Sequence, residues 1–164
     1  MSRVRANLLV GGNGMTTLAG SSRLLSNPED RRRFHALRES ASAIAIGGST
    51  FRSEPYSKTT LPLYVSTRGK DLSGSSAKFF NLSPLKLVEL ALSEIDGVIL
   101  IEGGVNFLAE LIERRAIDEI NITRVQKNGD GYPFNQAHLE LYYQLEQSEN
   151  SGDTVFELWI PKKS

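Results

Sequence analysis

The chain of 164 residues contains no cysteine and only two histidines, His35 and His138. Without thiols there are no disulfides, no thiolate metal centres and no thiol nucleophile, and the zinc-deaminase pattern, which needs a Pro-Cys-x-x-Cys segment, is excluded. Two histidines make a His-rich zinc centre remote, so no metal is expected. An excess of one charge is missing too, since nineteen Lys plus Arg balance nineteen Asp plus Glu. No global field draws the chain to nucleic acid or an anionic membrane, and any anion must be held by a local site. The run Arg31-Arg32-Arg33 follows Glu29 and Asp30 and reads as a solvated helix face. Long apolar stretches are lacking as well. Residues 84–101 come nearest, but Lys86, Glu89, Glu94 and Asp96 interrupt them, and they fall short of a membrane span. The apolar stretch near the N-terminus is too short for a signal sequence and has no small-residue cleavage site. A cytoplasmic protein with no membrane partner is expected.

What is present alternates. Residues 4–10 form a first strand, cut off by Gly11-Gly12-Asn13-Gly14, a run that a turn or a close approach favours. Asn27-Pro28-Glu29-Asp30 starts a helix, with Asn27 as cap, Pro28 in the first turn and two acids opposing the dipole, running to about Arg38. Buried strands follow at 42–46 and 62–66, then a Ser-, Gly- and Lys-rich loop between Arg68 and Leu82. Ser83-Pro84 opens a helix whose stripe is Leu87, Val88, Leu90 and Ala91. Strand 98–101, the turn Glu102-Gly103-Gly104 and a helix through Arg115 come next. Ile120 and Ile122 mark another strand, and residues 126–136 read as a loop. Alternation at Leu139, Leu141, Tyr143 and Leu145, repeated at Phe156, Leu158 and Ile160, predicts a closing antiparallel hairpin. The pattern implies one α/β domain over 1–164, with a mixed, mostly parallel sheet and helices on both faces. An exposed face of the hairpin, with Tyr142, Tyr143, Phe156 and Trp159, is a candidate dimer seam.

Ligands of such sheets sit beyond the carboxyl ends of the strands, where helix N-termini present free N–H groups. Three segments fit: Gly47-Gly48-Ser49-Thr50, Ser66-Thr67-Arg68-Gly69-Lys70, and Gly103-Gly104. The second concentrates hydroxyls and two cations, which suits a terminal phosphate such as the 2′-phosphate of NADP. Each also reads as plain turn or loop chemistry. Neither a Gly-x-Gly-x-x-Gly between strand and helix nor a Walker loop is present.

Together these residues resemble the reductase domain of riboflavin biosynthesis, the C-terminal half of the bifunctional deaminase/reductase, which shares the dihydrofolate-reductase-like fold. The likeness runs from about residue 3 to 125. It rests on Leu37-Arg38, on residues 43–50 with Arg52 and Glu54-Pro55, on 62–68, on 98–104 and on Ala116-Ile117-Asp118-Glu119-Ile120. The resemblance implies a three-layer fold, no deaminase domain, NADPH as cofactor and hydride transfer to a pyrimidine- or pterin-like molecule such as 5-amino-6-(5-phosphoribosylamino)uracil. It implies that Gly47, Gly48, Thr50, Ser66, Thr67, Arg68, Gly103, Gly104 and Asn106 line the cofactor. It implies that Asn13, Ser26, Arg38 and Arg52 face the substrate, with Arg38 as phosphate anchor. Glu102 and Glu54 are then the catalytic carboxylates, and a homodimer is expected. From the residues alone, Arg38 also reads as complementing a helix C-terminus, and Glu102 as accepting N–H bonds in its own turn.

The chain also departs from that family. Where the first loop usually reads Ser-x-Asp-Gly-Lys, this chain has Gly11-Gly12-Asn13-Gly14-Met15, so the acid is an amide and the lysine a thioether. Glu54 stands for an Asp, and Arg124 with Asn128-Gly129-Asp130-Gly131 replaces a proline and Gly-Gly segment. Dihydrofolate reductase itself places an acid on the helix after the first loop, usually with a tryptophan nearby; here the one Trp is Trp159. A reductase with a changed substrate and a non-catalytic nucleotide- or partner-binding module are the two functions left open.

Overall fold

The computed structural model describes residues 3–54, 56, 59–68 and 77–164. Pro55, Gly69 and Lys70, named in the sequence motifs, lie outside them. The elements run β1 (Val4–Val10), β2 (Met15–Thr17), α1 (Pro28–Glu39), β3 (Ala43–Gly47), α2 (Gly48–Ser53), β4 (Leu63–Ser66), β5 (Lys78–Phe80), α3 (Pro84–Glu94), β6 (Ile99–Ile101), α4 (Val105–Glu113), β7 (Glu119–Arg124), β8 (Gly131–Pro133), α5 (Gln136–Tyr142), β9 (Tyr143–Ser151) and β10 (Thr154–Pro161).

Eight strands make the main sheet in the order β5-β4-β3-β6-β1-β7-β10-β9. Its pairs are parallel from β5 to β7, and β10 pairs antiparallel with both β7 and β9. Alternate residues of β3 go to opposite faces, as the strand period demands. Ala43 and Ala45 join a core with Leu87, Val88, Leu108 and Leu111 of α3 and α4. Ile44 and Ile46 join Leu63, Val65 and Tyr56 on the other side, against Phe51 of α2. Burial on both faces is why these strands read as continuous apolar runs. On α2's side α1 crosses β1 and β7, where Arg33 donates to Asn121 Oδ1 at 2.7 Å and covers the Phe156 ring at 5.0 Å. The arginine run is thus only partly solvated: Arg32 is exposed, whereas Arg33 is half-buried.

Three expectations are corrected. The alternation at 139–145 is split between a helix and a strand. Asn135 caps α5 by accepting from the His138 N–H at 3.0 Å, and the hairpin starts only at Tyr143. Half of the expected seam is inside the chain: Tyr143 and Trp159 are buried, with the Tyr143 hydroxyl donating to Ile117 O at 2.8 Å, whereas Tyr142 and Phe156 stay partly exposed. Short strands β5, β8 and β2 occupy segments that read as loop, β2 and β8 pairing with each other as a separate ribbon. That ribbon explains the first glycine run. A Cβ on Gly12 would lie 2.5 Å from the Gln126 carbonyl oxygen, so the glycine admits a neighbouring loop of the chain itself. No helix among the described residues is long and apolar enough to cross a membrane.

Candidate functional site

Strand β6 lies between β3 and β1, so the chain returns to the middle of the sheet after building its β4-β5 flank. Crevices form beyond the strand ends at such a reversal. Here a cleft of about 840 Å³ opens between α1 and α2, floored by Asn7, Leu8 and Leu9 of β1 and by the turn after β6.

One end of the cleft is made of helix starts without a side-chain cap. The N-termini of α1, α3 and α5 are closed by the side chains of Asn27, Ser83 and Asn135. Those of α2 and α4 begin at Gly47 and Gly104, which have no side chain to cap with. Gly47, Thr50, Gly103, Gly104 and Asn106 all line this end. Gly103 has φ +110°, and a Cβ there would meet nothing within 4 Å. The turn thus leaves open space where a side chain would stand, and the Gly103–Gly104 peptide is cis. This end fits the pyrophosphate of a dinucleotide, which binds N–H groups at helix N-termini. Gly48, Ser66, Thr67, Arg68 and Arg52 are set beside it, outside the cleft lining. Gly48 faces the Thr67 side chain and Arg52 Nη1, at 3.0 and 3.1 Å from its Cβ position. Ser66 donates to the Leu82 carbonyl, and Arg68 is exposed.

The other end is built by α1. Asp30 is 6% exposed, takes a short hydrogen bond from Ser26 Oγ, and has the buried Thr123 side chain facing it from β7. Burial raises its carboxyl pKa, against the lowering influence of Ser26, Thr123 and Arg31. Asn7 Oδ1 and Thr17 Oγ1 are buried with no hydrogen-bond partner among the described residues, and both residues line the cleft. An ionised carboxylate only accepts, so this pocket is complementary to a group that presents N–H donors. Phe34, one turn further along α1, supplies an apolar wall.

The two expected catalytic carboxylates are both engaged. Glu102, with a 2% exposed side chain, receives Arg38 Nε and Nη2, each at 2.7 Å, and the Tyr56 hydroxyl at 2.9 Å. Burial and Glu102 push the Tyr56 phenol well above its ordinary range. Arg38 is opposed by burial, but Glu102 overrules it and raises its pKa. Arg38, expected to anchor a phosphate, therefore turns its fork inward. Glu54 accepts the Ser22 N–H at 2.8 Å and its hydroxyl at 2.9 Å, tying the first loop to the end of α2. Asn13 lies away from the cleft lining, donating to Gly129 O at 2.8 Å and accepting from its N–H at 3.0 Å; Ser26 lines the cleft beside Asp30.

The sequence reading missed Asp30 as a site residue, along with Tyr56 and Phe34. The signal was the spacing Asp30, Phe34, Arg38, which places all three on one face of a helix; Asp30 was fully explained as a dipole acid. Among the described residues no group of His, Asp or Glu could hold a metal.

No protein-family model matches the chain, and no curated protein matches it by sequence. Solved structures do. The deaminase/5-amino-6-(5-phosphoribosylamino)uracil reductase of Thermotoga maritima superposes with TM-score 0.78 at 13% identity over 98% of this chain. The chain spans 57% of that protein's length. Dihydrofolate reductase from Enterococcus faecalis, in complex with NADP(H) and RAB-propyl, gives 0.74 at 16% identity, covering 98% of this chain and 97% of its own. A pyrimidine reductase-like protein of Corynebacterium diphtheriae gives 0.74 at 17%, covering 99% and 93%. The three-layer α/β architecture described above is the dihydrofolate-reductase-like fold.

Proposed function

We propose that this chain is an NADPH-dependent reductase of a pterin- or pyrimidine-like small molecule. The observation that carries the reading is the polarity of one cleft: uncapped glycine N-termini at one end, a buried carboxylate at the other. NADPH supplies a hydride. The N–H groups opening α2 and α4, with Thr50 and Asn106, hold its pyrophosphate side. Thr67 and Arg68, beside that end, take the 2′-phosphate. Asp30 accepts two N–H bonds from an amino-pyrimidine edge, and the orphaned Asn7 and Thr17 oxygens take its remaining donors. Phe34 covers the ring face. Glu102 is a positioning residue: held by Arg38 and Tyr56, it fixes the end of β6 and hence the glycine turn. Glu54 does the same for the first loop.

The test is a titration with NADPH and, separately, NADH. Trp159 lies outside the cleft lining, so cofactor emission and melting temperature are the better readouts. Micromolar NADPH binding with much weaker NADH binding supports the cofactor end; absence of binding to either removes the reductase reading. A screen of oxidised pterins and pyrimidines then follows NADPH consumption. Ring and cofactor binding without turnover favours the non-catalytic module, which the engaged Glu102 and the Met15 loop would suit.

A further inference from the structure

Resting on the reading of the cleft as the place where a ring ligand meets NADPH, we infer that Tyr132 closes over that meeting point, stacking its ring on the bound ligand and shutting water out. Four Phe and Tyr residues line the cleft: Phe34, Tyr56, Phe107 and Tyr132. Three are already engaged. Phe34 is flanked by the guanidinium groups of Arg31 and Arg38, Tyr56 donates to Glu102, and Phe107 is packed in the core. Tyr132 is 56% exposed, and among the described residues its ring meets no other ring and no cation.

The backbone is held in a costly shape to put it there. Tyr132 has φ +52°, a region that residues other than glycine rarely occupy, and the following Pro133 favours an extended residue at this position. The neighbouring glycine is used otherwise, since a Cβ on Gly131 would lie 2.6 Å from Thr17 Oγ1. The surroundings fix the shape. Met15 pairs with Pro133 and Thr17 with Gly131, the buried Thr16 donates its hydroxyl to the Tyr132 carbonyl at 2.6 Å, and the Phe134 N–H donates to Gly14 O at 2.9 Å. Strain kept in place by so many partners belongs to a site where it is used. The sheet order says for what. The β2-β8 ribbon follows the carboxyl ends of β1 and β7, and β1 lies between β6, which leads into the Gly103-Gly104 turn, and β7, which carries Thr123 beside Asp30. The ribbon therefore stands between the cofactor end and the ring end, with Tyr132 over their junction. A tyrosine suits that position, with a flat apolar face for a conjugated ring and a hydroxyl left to the water.

The experiment uses the full chain with saturating NADPH and 2,4-diaminopyrimidine as the ring probe. Tyr132→Gly removes the ring and leaves a residue at ease with a positive φ, so its melting temperature without ligands is expected to be no lower than that of wild type. By calorimetry its Kd for the probe is expected to rise about threefold to tenfold, the range of one aromatic contact, and acrylamide is expected to quench the emission of its bound NADPH more strongly. Tyr132→Phe keeps the flat face and is expected to bind the probe within about twofold of wild type. Unchanged binding and quenching in Tyr132→Gly overturn the proposal while the two half-sites stand. So does a loss in Tyr132→Phe as large as that in Tyr132→Gly, which moves the role to the hydroxyl, and so does a melting temperature that falls along with the affinity, which makes the tyrosine a structural residue. Failure of wild type to bind the probe or NADPH removes the reading of the cleft itself, and this inference with it.

Discussion

Asp30 is held in a place that suits it badly as an anion. Burial raises its pKa, so the folded chain binds that proton more tightly than the unfolded chain does. The sign follows from linkage: its contribution is most favourable below the unfolded carboxyl value of about 3.9 and is lost as pH rises through the higher folded value. Asp30→Asn is expected to melt higher than wild type near neutrality. The gain disappears below about pH 4, and melting curves across pH check it. The same variant loses affinity for aminopyrimidines, the usual conflict between a stable and a working site. Glu102→Ala goes the other way. It strands the half-buried Arg38 without its partner, and the expected loss is about 3 kcal/mol, read by urea unfolding. The Arg38→Met, Glu102→Leu double variant recovers much of that loss. At this scale the sequence was informative about residue type and poor about use. Glu102, Arg38 and Glu54 were recognisable, but which of them point at a ligand and which at each other depends on distances across 64 and 32 residues of chain.

Helix α5 shows how a short element is decided. Over seven residues, apolar positions at Leu139 and Tyr142 satisfy a helix while Leu139, Leu141 and Tyr143 satisfy a strand, so periodicity alone cannot choose. The choice is made by Asn135, whose side chain satisfies the His138 N–H, and by Leu139, fully buried. Asn135→Ala is expected to cost about 1 kcal/mol and Leu139→Ala about 2–5 kcal/mol, whereas Leu141→Ala, at a 64% exposed position, stays within about 0.5 kcal/mol. A strand at 139–145 would put Leu141 on the face of Leu139 and Tyr143 and predict a similar loss for all three, with none for Asn135; urea denaturation of the set decides. The parallel strands β1, β3, β4 and β6 were legible through burial on both faces, α1 and α3 through the caps at Asn27 and Ser83, and α4 through the apolar stripe of Leu108, Leu111 and Ile112. Strands β2, β5 and β8 were not, since three mostly unburied residues carry neither a period nor the apolar run that marks the equally short β6, and they exist through their partners.

The proposed function joins two half-sites around one cleft, and this would make the chain's stability a report on its ligands. Anything bound only by the folded state raises stability by mass action: a ligand at a hundred times its Kd adds about 2.7 kcal/mol, or about 5–11 °C in melting temperature at this chain length. NADPH and an aminopyrimidine are expected to produce such shifts separately and together, because Gly103–Gly104 and Asp30 lie at different ends of the lining. The two ends are separable by mutation. Asp30→Asn is expected to abolish the aminopyrimidine shift and keep that of NADPH. Gly103→Ala is expected to do the reverse, since its side chain would enter the open space at the cofactor end. The φ of +110° also costs an L residue about 1–3 kcal/mol, so its melting temperature is lower throughout and only ligand-induced differences are compared. If either variant loses both shifts, the cleft is not two sites in one groove, and the division of labour between the glycine turn and α1 fails with it.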